Sequence, residues 1–392
     1  MKKRLLGIVG SGMIGRDPFN PYCWSGSSLR FFRALQEHPS GNLLQGAFGV
    51  EASRFSRARI AVPHYSPNRR VWQGRFHLDT RYYQALTGEV RRHLETLETG
   101  PNVCPIQLGA IYDVPAVVGR GTACFSYHDG NIAMLARSPF FSEALRPLVS
   151  EALAWERRVY DGLTKIFTMS EYLRRSFIDD FGQDGRKVVT VGVGPNFDPP
   201  RDVSGKSYKG TDVLFIGIDF ERKGGEPLLR AFAQAVRSGA GIGTLHIVGP
   251  RVRPRILDDR HLTRNVVFHG FLDKRDPEQA ARLRGITEGC TLFVLPTRYE
   301  PFGIAVLEAM YHGMGCVATG QWAMPEMITP GRNGWLLNDL DDTEELADYL
   351  VRFSADEDLR REMGQEARRV AERYTWQNVA DAVFEELPDA VP

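Results

Sequence analysis

Tyr299-Glu300-Pro301-Phe302-Gly303-Ile304-Ala305-Val306-Leu307-Glu308-Ala309-Met310 sets two glutamates eight positions apart across a junction from loop to helix. The apolar run Thr291 to Pro296 just before it reads as a buried strand, Pro301 and Gly303 punctuate a turn, and Ile304 to Tyr311 consists of good helix formers. Glu300 then precedes the helix, and Glu308 lies in its first turns. Between them come the amides of the helix start, which lack partners in the helix and sit at the positive end of its dipole, a seat for a phosphate. A carboxylate on either side of an anion seat suits a ligand with hydroxyls at both ends and charge in the middle. A nucleoside diphosphate sugar is such a ligand.

This stretch resembles the E-x7-E signature of the retaining glycosyltransferases of family four, also called glycosyltransferase group 1, which have the GT-B fold. The resemblance runs on through Gly313, Gly315, Pro325-Glu326, Gly331 and Asn333-Gly334. It implies that Glu300 contacts the donor sugar and Glu308 the ribose, with Phe302, Gly303, Ile304 and Val306 lining the donor between them.

At 392 residues the chain exceeds what one core normally organises, so two domains are expected. A net charge of +1 excludes bulk electrostatics as the basis of function, and no nucleic-acid partner is expected. Five cysteines, Cys23, Cys104, Cys124, Cys290 and Cys316, are scattered without C-x-x-C spacing. That argues against a metal site or disulfide framework and for a reducing, cytoplasmic setting. The run Leu5 to Val9 is too short for a signal peptide and reads as a first buried strand, and no stretch is long enough to cross a bilayer.

Gly10-Ser11-Gly12-Met13-Ile14-Gly15 matches G-x-G-x-x-G, the dinucleotide fingerprint. Pro18 and Pro21 follow where that motif needs a helix, and the helix is deferred to Ser27 through Gln36. What remains is a glycine loop, either a flexible turn or, as the resemblance implies, a place where Gly10 and Gly12 approach donor phosphate and acceptor. Trp24, Ser25, Gly26 and Ser27, with Tyr22, are assigned to the acceptor side.

Leu43 to Val50 reads as a strand. Arg54, Arg57, Arg59, Arg69, Arg70 and Arg75 then face only Glu51. That basic segment, 54–75, reads as a solvated insertion or as a surface for an anionic acceptor or acidic lipid headgroups, which leaves peripheral membrane contact open. Asp79 to Leu97 is expected to be helical and Pro105 to Ile111 a strand. Ala123 to Tyr127 should be a buried strand delivering His128-Asp129-Gly130 at its carboxyl end, where open α/β sheets bind ligands. The resemblance puts His128 on the donor sugar. Pro199 through Gly210 is polar and rich in breakers, as a linker would be.

Beyond it the pattern restarts. The strand Val213 to Ile216 leads into Gly217-Ile218-Asp219-Phe220-Glu221-Arg222-Lys223-Gly224-Gly225, where adjacent cations at a helix entry can neutralise a diphosphate without a metal. The resemblance implies that role for Arg222 and Lys223, and nucleobase contact for the chain around Gly270-Phe271. Gln321-Trp322-Ala323 departs from the glycines common in relatives. Asp356 to Arg373 reads as a charged helix and Val379 to Glu386 as the last one.

Alternating strands and helices in both halves predict an α/β protein with two doubly wound, Rossmann-like parallel sheets facing an inter-domain cleft. The expected division is residues 1–198 on the acceptor side, 199–375 for the donor, and 376–392 as a terminal helix returning to the first domain. The reading this supports is a metal-independent, retaining glycosyltransferase, a hexosyltransferase within that class, with no cofactor and a UDP- or GDP-linked sugar as donor. Its front-face route would carry the sugar to a hydroxyl of a small molecule, glycan or glycolipid. A GT-B sugar-nucleotide epimerase and a non-catalytic nucleotide-sugar-binding protein stay open as alternatives. A hydrolase would leave Arg222 and Lys223 without a purpose, and a dehydrogenase would lack its helix after Gly15.

Overall fold

The computed structural model describes residues 4–10, 17–40, 44–97, 103–119, 121–199 and 202–387. The chain divides into two compact units, the first formed by Met1–Asn196 with Thr375–Pro392 and the second by Phe197–Tyr374.

The first unit holds a six-stranded sheet of β1 (Arg4–Gly10), β2 (Leu44–Val50), β3 (Val103–Leu108), β4 (Phe125–His128), β5 (Lys165–Thr168) and β6 (Val188–Thr190), ordered β2-β1-β3-β4-β5-β6. Every pairing is parallel. Parallel strands need crossovers, and the intervening helices cover both faces, which is why Leu5, Ile8, Ile106, Phe125, Ile166 and Phe167 are all buried. The last helix, Trp376–Glu385, follows the second unit in sequence and packs on the first. Its Trp376 indole donates to the Pro195 carbonyl at 2.8 Å, its Asp381 pairs with His38 at 2.9 Å, and Glu386 just beyond it pairs with Lys165 at 2.6 Å.

The second unit holds β7 (Val213–Ile216), β8 (Leu245–Val248), β9 (Val266–Gly270), β10 (Leu292–Leu295), β11 (Gly315–Thr319) and β12 (Gly334–Leu337), ordered β12-β11-β10-β7-β8-β9 and again parallel. Here the strand order reverses between β7 and β10, the place in an open α/β sheet where loops diverge and a ligand crevice opens at the carboxyl ends.

Several segments carry structure beyond the expectation. The basic stretch after β2, expected as a solvated insertion or an anion-facing surface, is built of two largely exposed helices, Arg54–Ala61 and Arg69–Leu78, capped by Ser53 and Asn68. The helices Pro277–Gly289 and Thr343–Ala355, started by Asp276 and Asp342 caps, were not anticipated. The first of these buries only Thr287, so its cap is the main sequence signal, whereas the second buries Leu346, Ala347, Leu350 and Phe353 at helical spacing. All five cysteines are buried free thiols.

Candidate active site

The loop after β7 and the loop after β10 are neighbours because their strands are, and they are stitched together by backbone. Arg298 N–H donates to the Arg222 carbonyl at 2.8 Å, and the Thr297 hydroxyl reaches the same oxygen at 3.3 Å. Gly224 starts the helix Gly225–Arg237 at φ 76°, and a Cβ there would strike the Pro296 carbonyl, so the approach of the two loops requires glycine.

This stitching brings Arg222, Lys223 and Glu300 together. The Arg222 guanidinium donates to the Tyr299 carbonyl at 2.5 Å and stands 4.0 Å from the Glu300 carboxylate, while the Lys223 ammonium is in ion-pair contact with that carboxylate. The lysine side chain is 12% exposed and the glutamate 16%. Burial first, and then the Arg222 charge, push the Lys223 ammonium down to about 7, against a smaller upward pull from Asp219. An anion brought against this pair would restore the lysine charge.

Gly303, at φ 97°, turns the chain into the helix Ile304–Tyr311, which no side chain caps. A Cβ on Gly303 would strike the Met324 side chain. Phe302 and Val306 were assigned to the donor, but both side chains are buried, Phe302 against the Tyr374 ring at 5.9 Å. Only their backbone is left for a ligand, because the helix must bury one face to hold its place. Ile304 is half-buried. Glu308 lies further along the same helix, 3.5 Å from the Lys274 ammonium. Gly270 ends β9 at φ 70°, and the Phe271 ring lies under the Arg251 guanidinium at 4.0 Å.

Lys274 and Arg251 also follow the carboxyl ends of strands, as Arg222 and Glu300 do. Trp322, in the segment that departs from the usual glycines, adopts φ 60° and sets its ring edge-on to Tyr299 at 5.2 Å. It therefore keeps the left-handed backbone a glycine would supply and adds a brace beside Glu300.

In the first unit Gly10 ends β1, and Gly12 falls outside the described residues. Trp24, Ser25 and Gly26 form a left-handed turn, with φ of 51°, 57° and 98°, into the helix Ser27–Glu37. Such backbone in non-glycine residues costs on the order of 1–3 kcal/mol each and persists only when surroundings enforce it. The enforcers are Asp129, which accepts from the Trp24 indole at 3.0 Å, and Asn196, whose amide donates to the Ser27 hydroxyl at 2.9 Å.

His128 stands at the carboxyl end of its strand, as expected, with its side chain buried. It is the last residue of β4, 2% exposed, with its ring against Tyr160 at 5.5 Å and Phe177 at 5.1 Å. A side chain still within a sheet covered on both faces goes under the covering helices. Its Nε2 has no hydrogen-bond partner among the described residues, and burial lowers the imidazole to about 3, so the ring is neutral. Asp129, one residue later, is the group that leaves the sheet.

Comparisons with known proteins bear on the family and the fold. The description "Glycosyl transferases group 1" matches residues 210–356, the span that contains Arg222, Lys223, Glu300 and Glu308. The alpha-maltose-1-phosphate synthase of Mycolicibacterium smegmatis is 37% identical over 62% of this chain and 70% of its own length. Two solved structures share the fold: a sucrose-phosphate synthase from Thermosynechococcus elongatus (TM-score 0.71, 15% identity, 98% of each chain) and Anabaena HepE in complex with UDP (TM-score 0.64, 16% identity, 97% of this chain and 98% of HepE). The class is thus the GT-B glycosyltransferases. Within it, this chain belongs to the glycosyl transferases group 1 family.

Proposed function

We propose that the protein transfers a sugar, with retained configuration and without a metal, from a nucleoside diphosphate sugar to a hydroxyl acceptor. The observation that carries this reading is the meeting of Arg222, Lys223 and Glu300 beside an uncapped helix start, at the strand-order reversal of the second sheet.

The bond from the sugar's anomeric carbon to the diphosphate oxygen breaks, and negative charge gathers on that oxygen. Arg222 and Lys223 meet it, with the amides of the Ile304–Tyr311 helix start supporting the phosphates. As the lysine turns to phosphate, Glu300 is released to accept from sugar hydroxyls, and Glu308 accepts from the ribose. The acceptor oxygen bonds to the anomeric carbon from the face the diphosphate leaves, and its proton passes to the departing phosphate oxygen. Trp24 to Ser27 contact the acceptor, a small molecule, glycan or glycolipid. HepE's bound UDP favours a uridine donor over a guanosine one.

A thermal-shift series with UDP-, GDP- and ADP-linked sugars tests donor binding, since a ligand that binds only the folded state raises its melting point. Incubating the stabilising donor with candidate acceptors and a chelator, then reading the anomeric configuration by NMR, tests retention and metal independence. An inverted product would overturn the front-face route. Conversion of the donor without acceptor would move the protein to the epimerases, and tight binding without turnover to the silent binders.

A further inference from the structure

The basic segment after β2 carries something the transfer reaction does not use. The helix Arg54–Ala61 and its C-cap Val62 place Arg54, Phe55, Ala58, Arg59 and Val62, spaced by three and four, on one exposed stripe, while Ile60 on the opposite side is buried. A surface helix is expected to show the reverse pattern. Phe55 is 74% exposed, Val62 69% and Tyr65 67%; these are three of the seven large hydrophobic side chains exposed among the described residues, gathered within eleven positions.

The presentation is rigid. Trp72 donates to the Ala61 carbonyl at 2.7 Å and its ring packs against Tyr65 at 5.7 Å, closing the hairpin. Arg75 donates to the Ala144 carbonyl at 3.4 Å, and Arg70 covers the Phe140 ring at 5.5 Å, which ties the hairpin to its own unit.

The charge is one-sided. Residues 51–78 hold six arginines and one glutamate, and that glutamate, Glu51, is paired with Arg57. Arg54, Arg59 and Arg69 are exposed and have no acidic partner among the described residues. Aromatic and aliphatic tips rimmed by unneutralised arginines match the chemistry of an anionic bilayer surface, where the apolar tips enter the acyl boundary and the guanidinium groups meet phosphates.

We propose that the hairpin Arg54–Leu78 docks the protein on anionic lipid bilayers, with Phe55, Val62 and Tyr65 inserting and Arg54, Arg59 and Arg69 meeting the headgroup phosphates. This inference does not depend on the identity of the donor or acceptor.

The test is co-sedimentation of the full chain with extruded vesicles of phosphatidylcholine alone or mixed in equal parts with phosphatidylglycerol. The native protein is expected to sediment with the mixed vesicles at low salt, to be released at high salt, and to ignore phosphatidylcholine. Phe55→Ser with Val62→Ser, and separately Arg54→Glu with Arg59→Glu, should each lower the partition coefficient at least about tenfold. Both variants change exposed side chains, so the melting point and its shift with UDP should match the native protein. Failure of the native chain to bind mixed vesicles overturns the proposal, as does binding that both variants leave intact. A native dimer that the serine variant dissociates, with no vesicle binding, would make the face a protein interface instead.

Discussion

The two units are built on the same plan and end their strands in opposite chemistry. In the second, the loops beyond β7 and β10 gather two cations and a carboxylate around an uncapped helix start. In the first, the turn before the Ser27–Glu37 helix is held in left-handed backbone by one carboxylate and one amide, and the nearest histidine is folded inward and neutral. On the proposed function, one parallel sheet is fitted for charge and the other for shape. A diphosphate needs its charge met wherever it sits, whereas an acceptor hydroxyl needs a rigid, hydrogen-bonding rim.

The comparison breaks most visibly if the cations are dispensable. Arg222→Ala and Lys223→Ala should each lower kcat/KM by roughly 100-fold or more, about 3 kcal/mol of transition-state stabilisation, with a melting point near that of the native protein. Steady-state kinetics with saturating acceptor would check this; a loss below fivefold would mean the charged site is not where the reaction occurs.

A second test uses pH. Lys223 is held near 7, so it is protonated and able to meet phosphate below that value and neutral above it. UDP affinity, measured by calorimetry, should weaken by up to about tenfold for each pH unit above 7. Lys223→Arg should flatten that slope, because a guanidinium keeps its charge.

On the other sheet, Asp129→Ala removes the acceptor of the Trp24 indole bond. The turn is then expected to relax, raising the acceptor KM about tenfold, a loss near 1.4 kcal/mol, while UDP affinity stays unchanged. Equal losses for both substrates would erase the division of labour between the units.

His128 supplies a stability test. Its pKa is lowered on folding, so the unfolded chain takes up a proton near 6.5 that the folded chain refuses until about 3. Stability is therefore lost as pH falls through that window, and His77, His269 and His312 contribute in the same direction. His128→Leu should fold, change the melting point at pH 8 by only a few degrees and make the decline between pH 6.5 and 4 shallower, as read by thermal denaturation. The smallest effect is expected from Arg251→Ala, which removes the cation over Phe271. UDP affinity should fall about two- to fivefold, in keeping with the roughly 0.5–1 kcal/mol of an exposed cation–π contact.

Much of this was legible from local pattern. The strand Val213–Ile216 was readable as an apolar run ended by glycine, and Arg222, Lys223 and Glu300 as charges placed just past strand ends. Trp322 was visible only as a departure, since its contact with Tyr299 spans separate loops. The burial of the Phe302 and Val306 side chains was not legible, because a motif records position in the chain and not the direction of a side chain. His128 shows the limit most clearly. One residue decides whether a side chain ends inside a covered sheet or beyond it, and strand ends cannot be read from sequence to that precision.

By itself, then, the order of residues determined that strands and helices alternate, that the chain carries two such sheets, and which charged groups stand at strand ends, because these follow from periodicity and turn chemistry over a few residues. The neighbours of each loop, the inward histidine and the strained turn held by Asp129 were decided only by the tertiary structure. Each depends on which strands lie side by side and which helices cover them, and that is a matter of packing between segments far apart in the chain.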